Sequence, residues 1–166
     1  MKNDLTAERL RSLLHYDPET GIFTRLVTSG RNRWLAGSPA GTPHSGHGGY
    51  TQIRIANRRY YAHRLAFLYM TGAIPAYVDH VNCDRSDTRW ANLRPASQTE
   101  NNRNGPVRRS NKLGIKGVYR HRRKFVARIT VDRMPIEIGK FDTAEEAGHA
   151  YREAAAQFHG DFANVG

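Results

Sequence analysis

The sequence predicts an α+β fold in two parts. An N-terminal region ends in a strand-loop-strand-helix unit, and a small three-stranded antiparallel sheet packed on one helix follows it. Three observations carry this reading. Extended stretches at 76–81 and 91–96 lead into a helix-start signal at Ser97. Three strand-like runs, at about 115–121, 124–131 and 135–141, precede a single Ala-rich helical run. The charge is uneven: the net formal charge is +11, and residues 101–134 hold eleven Lys and Arg against one acid, Asp132. The expected division is a first domain over 1–104 with its core at about 60–104, a linker over 105–112 and a second domain over 113–166.

Along the chain, LTAERLRSLL (5–14) reads as a short helix, with Leu5, Leu10, Leu13 and Leu14 near one face. Asp17-Pro18-Glu19-Thr20-Gly21 is a turn signal, and 21–27 alternates weakly as a strand. Residues 29–49, rich in Gly, Ser and Pro, read as loop. Tyr50 to Tyr61 predicts a hairpin, since Ile53 and Ile55 alternate with Gln52 and Arg54 and a turn is expected near Asn57. A helix over 62–71 follows, stopped by Gly72.

Ser97-Gln98-Thr99-Glu100 fits a capping box and opens the helix that closes the strand-loop-strand unit. NGPVRRSN (104–111) has the composition of a linker. In the 124–131 strand, Phe125, Ala127, Ile129 and Val131 form the apolar face, against Lys124, Val126, Arg128 and Thr130. The apolar set is expected to pack on a helix opened by the capping box Thr143-Ala144-Glu145-Glu146. That helix carries Ala147, Ala150, Tyr151, Ala154 and Phe158 on one face.

Composition excludes several classes. With 39% hydrophobic and 25% charged residues the chain is expected to fold. No apolar run approaches the roughly 20 residues of a membrane span. The opening MKNDLTAERLRSLL has early acids and no uninterrupted apolar core, so it does not read as a secretory signal. Cys83 is the single cysteine, which excludes an internal disulfide framework and a cysteine-based zinc finger and fits a reducing, intracellular location. The concentrated positive charge, interleaved with Tyr119, Phe125, Val126 and Ile129, predicts a folded basic surface for phosphates.

The chemistry-bearing residues cluster in the strand-loop-strand-helix unit. Asp79-His80 ends the first strand, Asn92 lies at the start of the second, and Asn101 lies on the closing helix. Such a unit can fold Asp79, His80 and Asn101 together. An Asp carboxylate and an Asn carbonyl oxygen suit a hard cation, Mg²⁺ or Mn²⁺. Neutral His80 can take a proton from an attacking water. The ligand set is sparse, so waters and a DNA phosphate would have to complete it.

His63 to Asn104, with its HRL helix, VDH strand, NLR strand and closing ENNRN, resembles the HNH endonucleases of phage and homing type, whose core is a ββα-metal motif. The likeness extends over about 5–104, and the third motif position is Asn here. The resemblance implies that His80 is the general base, that Asp79 and Asn101 hold the metal, and that Asn92 ties down the loop and so orients His80. Asn102 is the alternative to Asn101. Cys83 stands where Gly is usual, and Thr88 where Asn is usual.

Gly114 to Val165 is similar to the APETALA2-type DNA-binding domain, on GIKGVYRHRRKFVARI and IGKFDTAEEAGHAYREAAAQFHG. That family lays its sheet in the DNA major groove. The resemblance places Lys116, Tyr119, His121, Lys124, Arg128 and Thr130 on DNA-facing positions, with Arg122 and Arg123 beside them. Tyr119, His121, Arg128 and Thr130 differ from the types usual in plant members, so no base preference carries over.

The expected function is a Mg²⁺-dependent endonuclease that hydrolyses phosphodiester bonds of double-stranded DNA, with no membrane and no obligate protein partner. The expected location is the cytoplasm of a bacterial host, from a phage or prophage gene. A catalytically inactive DNA-binding regulator and an RNA-binding protein are the rival readings.

Overall fold

The computed structural model describes residues 5–28, 34–43, 48–107 and 110–164. The expectations for 29–33, 44–47 (His44 and His47 among them) and 108–109 lie outside the described residues. The fold is mixed α and β, with small antiparallel sheets, and it divides into two compact units, 1–97 and 98–166. No described helix is long and apolar enough to cross a membrane.

In the first unit, helix α1 (Ala7–Leu13) starts where the Thr6 hydroxyl accepts from the Arg9 N–H at 3.2 Å. Strands β1 (Leu14–Tyr16), β2 (Phe23–Arg25) and β3 (Pro39–Ala40) form one sheet in that order. A second sheet joins β4 (Thr42–Pro43), β5 (Thr51–Ile55) and β6 (Arg58–Tyr61). The turn between β5 and β6 has positive φ at both Ala56 and Asn57, the pattern of a type I′ hairpin. The two-residue strands β3 and β4 are a correction to the loop expected over 29–49. Neither contains the alternation that makes a strand legible, and both form by pairing with a neighbour.

Helix α2 (Ala62–Thr71) stops where expected. Gly72 takes φ +79°, and its N–H bonds the Leu68 carbonyl at 3.0 Å. A third sheet pairs β7 (Tyr77–His80) with β8 (Leu93–Ala96), and a 3₁₀ turn over Trp90–Asn92 leads into β8. Leu10, Tyr16, Phe23, Ile53 and Leu65 are fully buried at the centre of this unit's core.

The second unit begins with α3 (Gln98–Asn104). Its sheet runs β11 (Met134–Phe141), β10 (Lys124–Val131), β9 (Val118–His121), with α4 (Ala144–His159) packed against it. Both halves of the predicted capping box form: the Thr143 hydroxyl takes the Glu146 N–H, and the Glu146 carboxylate takes the Thr143 N–H. Gly117 admits no side chain. Its φ is +71°, and a Cβ there would lie 2.1 Å from the Tyr151 ring.

Two packing expectations are corrected here. Phe158 is 44% exposed, because the last turn of α4 uses His159 instead, whose Nε2 lies 3.0 Å from the Thr130 carbonyl. Val126, expected on the polar face of β10, is buried. The register shift between Ala127 and Arg128 puts its extra residue, Ile138, on β11, so β10 keeps Phe125, Ala127, Ile129 and Val131 toward α4 and Val126 is buried from the opposite face.

Candidate active site and nucleic-acid interface

The β7–β8 pair sets the geometry. Its register puts Asp79 opposite Arg94 and His80 opposite Leu93. Asp79 and His80 are both buried, at 4% exposure. A buried carboxylate needs a countercharge, and Arg94 supplies it: Nε and Nη2 reach Asp79 Oδ2 at 2.8 and 2.7 Å.

The loop from Val81 to Arg89 is closed from both ends by one side chain. Asn92 Oδ1 accepts from the Asn82 N–H at 2.9 Å, and Asn92 Nδ2 donates to the Asp87 carbonyl at 2.9 Å. The Val81 N–H donates to the Asn92 carbonyl, also at 2.9 Å. Inside the loop, Arg89 forks onto both Asp87 oxygens at 2.9 and 2.6 Å, which lowers the Asp87 pKa to about 2. Cys83 takes φ +62°, a left-handed conformation that explains why glycine suits this position. Thr88 is buried, and its hydroxyl donates to the Gly21 carbonyl at 2.8 Å. Tyr16 donates in turn to the Thr88 carbonyl at 2.6 Å, and burial raises the phenol's pKa.

His80 closes the strand into an aromatic cluster. Its ring centroid lies 5.0 Å from that of His63, edge to face, and 5.8 Å from that of Tyr50. Burial lowers the His80 pKa, and Asp79 and Asp87 oppose that shift only in part. The imidazole is therefore neutral at pH 7, the form that accepts a proton. Tyr50 and Arg94 lie outside the expected site, and His63 enters the expectation only as the first residue of the HRL motif. Arg94 has a legible signal in the antiparallel register opposite Asp79. The two rings arrive through tertiary packing of α2 and of the segment before β5, which no local pattern encodes.

Asp79, His80 and Asn92 thus stand together in the first unit. Asn101 lies on α3 in the second unit, half-buried, and Asn102 beside it is exposed. Arg103 and Asn104 fix α3 within that unit. Lys116 Nζ donates to the Arg103 and Gly105 carbonyls at 2.5 Å each, and Asn164 Nδ2 donates to the Asn104 carbonyl at 2.7 Å.

The basic sheet face holds the remaining candidates. Tyr119, His121, Arg122, Arg123, Lys124, Arg128 and Thr130 are exposed. The Arg128 guanidinium lies over the Tyr119 ring, 5.1 Å from its centroid. Lys124 is ion-paired with Asp142, and Lys116 is half-buried on the carbonyls just named. A cavity of about 1050 Å³ lies in this unit, with Arg103, Lys116, Tyr119, Arg128 and Thr130 among its walls.

Residues 60–103 match the model of the HNH endonuclease family. The matched stretch is about a quarter of the chain and contains Asp79, His80, Asn92 and Asn101. It supports the expectation of a DNA-cleaving nuclease drawn from the HRL, VDH and NLR motifs. No curated protein matches the chain. Among solved structures, one described as "DNA binding and cleavage by the HNH homing endonuclease I-HmuI" is 16% identical, with 89% of this chain and 85% of that chain covered and a TM-score of 0.43.

Proposed function

We propose that the protein is a divalent-metal-dependent endonuclease of duplex DNA with the ββα-metal core of the HNH class. The carrying observation is the pair Asp79-His80: a buried carboxylate beside a buried, neutral imidazole, at the end of a strand whose following loop Asn92 clasps. His80 takes the proton of the attacking water, and burial keeps its nitrogen unprotonated for that step. Asn92 holds the loop that begins at His80, so the base keeps its place while DNA enters.

Asp79 and Asn101 are the proposed holders of a divalent cation such as Mg²⁺ or Mn²⁺. Among the described residues no group of three or more His, Cys, Asp or Glu is placed to hold a metal. Oxygens of the DNA phosphate and water therefore have to complete the set. The donor chemistry is that of a hard-cation site, one carboxylate and one amide oxygen, and a bound ion would have to share Asp79 with the Arg94 guanidinium now on its Oδ2. When bound, the metal would neutralise charge on the scissile phosphate.

Residues 113–166 are proposed as an APETALA2-type DNA-binding domain that brings the nuclease domain, 1–104, to duplex DNA through the linker 105–112. Lys116, Tyr119, His121, Arg122, Arg123, Lys124, Arg128 and Thr130 are the proposed contacts. The proposed setting is a phage or prophage gene expressed in a bacterial cytoplasm.

The deciding test is plasmid nicking with Mg²⁺ by the full chain and by His80→Ala. The variant should lose more than about tenfold in rate, roughly 1.4 kcal/mol of barrier, and keep its gel shift on duplex DNA. A second reading, an inactive DNA-binding regulator, is favoured by Arg94, whose guanidinium already occupies Asp79 Oδ2. It predicts a gel shift with no metal-dependent nicking at all.

A further inference from the structure

We propose that His63 is a positioning residue for His80: its ring is the wall that fixes the plane of the base. The inference rests on the reading of His80 as the proton acceptor. Strand β7 fixes the Cα of His80, but the imidazole still has two rotatable bonds, and a base must be held within roughly 10–20° of its working orientation. The packing around it supplies that constraint. His63 stands in the first turn of α2 at 7% exposure and meets the His80 ring edge to face at 5.0 Å.

His63 is itself clamped. Tyr61 stacks on it at 5.5 Å and an interplanar angle of 17°, and Tyr50 lies 5.0 Å away on a tilted contact. The Arg85 guanidinium lies 5.0 Å from the centre of the Tyr50 ring. The next residue of the same turn anchors the approach to β7, since Arg64 Nη1 donates to the Ala76 carbonyl at 3.3 Å. One helical turn therefore grips both the backbone leading into the strand and the ring at the strand's end.

Shape is what His63 supplies. Its buried Nδ1 has no hydrogen-bond partner among the described residues, so packing sets the ring's place. Burial, with lesser effects from His80 and Arg64, lowers its pKa to about 3, so it is uncharged when His80 takes up a proton. A cation in that place would oppose the imidazolium that forms; a neutral ring does not.

The test compares His63→Phe, which keeps a flat neutral ring, with His63→Leu, which fills the space without one. Each is measured by single-turnover plasmid nicking with Mg²⁺ over a range of DNA concentrations, and by the ring signals of His80 in NMR spectra of the full chain. His63→Leu should lose at least tenfold in the maximal rate, with half-saturation and gel-shift affinity within twofold, and its His80 signals should broaden. His63→Phe should stay within threefold of the parent rate, with sharp His80 signals. Full activity in His63→Leu, or equal loss in both variants, overturns the proposal. A parent that does not nick, yet shows this pattern of His80 signals, overturns the nuclease reading and leaves His63 as the residue that orders His80.

Discussion

Asn92 closes the loop after His80 by gripping it at two points: its side-chain oxygen takes the Asn82 N–H and its amide donates to the Asp87 carbonyl, both at 2.9 Å. The side chain is buried, but its partners sit on Asn82, which is exposed, and Asp87, which is half-buried, so water replaces these bonds only in part when it is removed. Asn92→Ala leaves one backbone donor and one backbone acceptor without their partner, each part-buried and so at about 1–2 kcal/mol, the lower part of the range for an unsatisfied buried group. The expected result in urea unfolding is a loss of about 2–4 kcal/mol, together with a loss of nicking larger than that of DNA binding. Unchanged stability would show that the loop holds itself without the Asn92 side chain, through the Asp87–Arg89 pair and the Asp84 carboxylate, which accepts from the Ser86 N–H and hydroxyl at 2.9 and 2.7 Å.

A second consequence concerns Cys83 in the same loop. It adopts φ +62°, where an L-residue is disfavoured by roughly 1–2 kcal/mol. Cys83→Gly removes that strain and returns part of the gain to the greater entropy of the unfolded chain. A net stabilisation of about 0.5–1 kcal/mol is expected, read as a rise in melting temperature. A fall would mean that the Cys83 side chain contributes more than its backbone costs.

How much of this was legible follows from how local each signal is. The α4 capping box and the Gly72 stop are complete within a few residues, and both formed as written. Asp79-His80 and Asn92 share one β-hairpin-like unit, so spacing alone placed them in one neighbourhood. The contact of His63 with His80 crosses from α2 to β7, and the Tyr50 contact comes from before β5. Nothing in the spacing of those residues distinguishes a ring that walls the base from one in an ordinary core. Phe158 shows the opposite failure: helical periodicity put it on the buried face, while the bond of His159 to the Thr130 carbonyl used that last turn.

The two histidines also contribute to the loss of stability in acid. Burial, more than the nearby His80 and Arg64, pushes the His63 imidazole down from its ordinary 6.5 to about 3 in the fold. Between those values the unfolded chain binds a proton that the folded chain does not, so stability is intact above pH 6.5 and falls as pH drops toward 3. The slope from one such group is about 1.4 kcal/mol per pH unit, and His80, lowered in the same direction, adds to it. His63→Phe should flatten part of this acid limb in urea titrations at pH 7, 6, 5 and 4. A variant that loses stability with acid as steeply as the parent would show that His63 is not buried neutral.

The final prediction concerns where the DNA-binding unit begins. Sequence composition starts it at 113, after a linker, but four contacts tie α3 and the residue after it to the sheet unit: Lys116 to the Arg103 and Gly105 carbonyls, Asn164 to the Asn104 carbonyl, and Arg103 to Asp132 at 3.7 Å. Arg103–Asp132 is an exposed pair on the Asp side and contributes little. The hydrogen bonds matter more, because Lys116 is half-buried and loses its acceptors when residues 98–107 are absent. A fragment 98–166 should therefore be more stable than 112–166 by about 1–3 kcal/mol. Both should bind duplex DNA with a log–log salt slope of about −0.9 per phosphate neutralised, because Arg128 and the other exposed basic residues of the sheet are common to both. Equal stability would make α3 a passenger on this unit. A 112–166 fragment that binds without salt dependence would remove the basic sheet as the DNA contact.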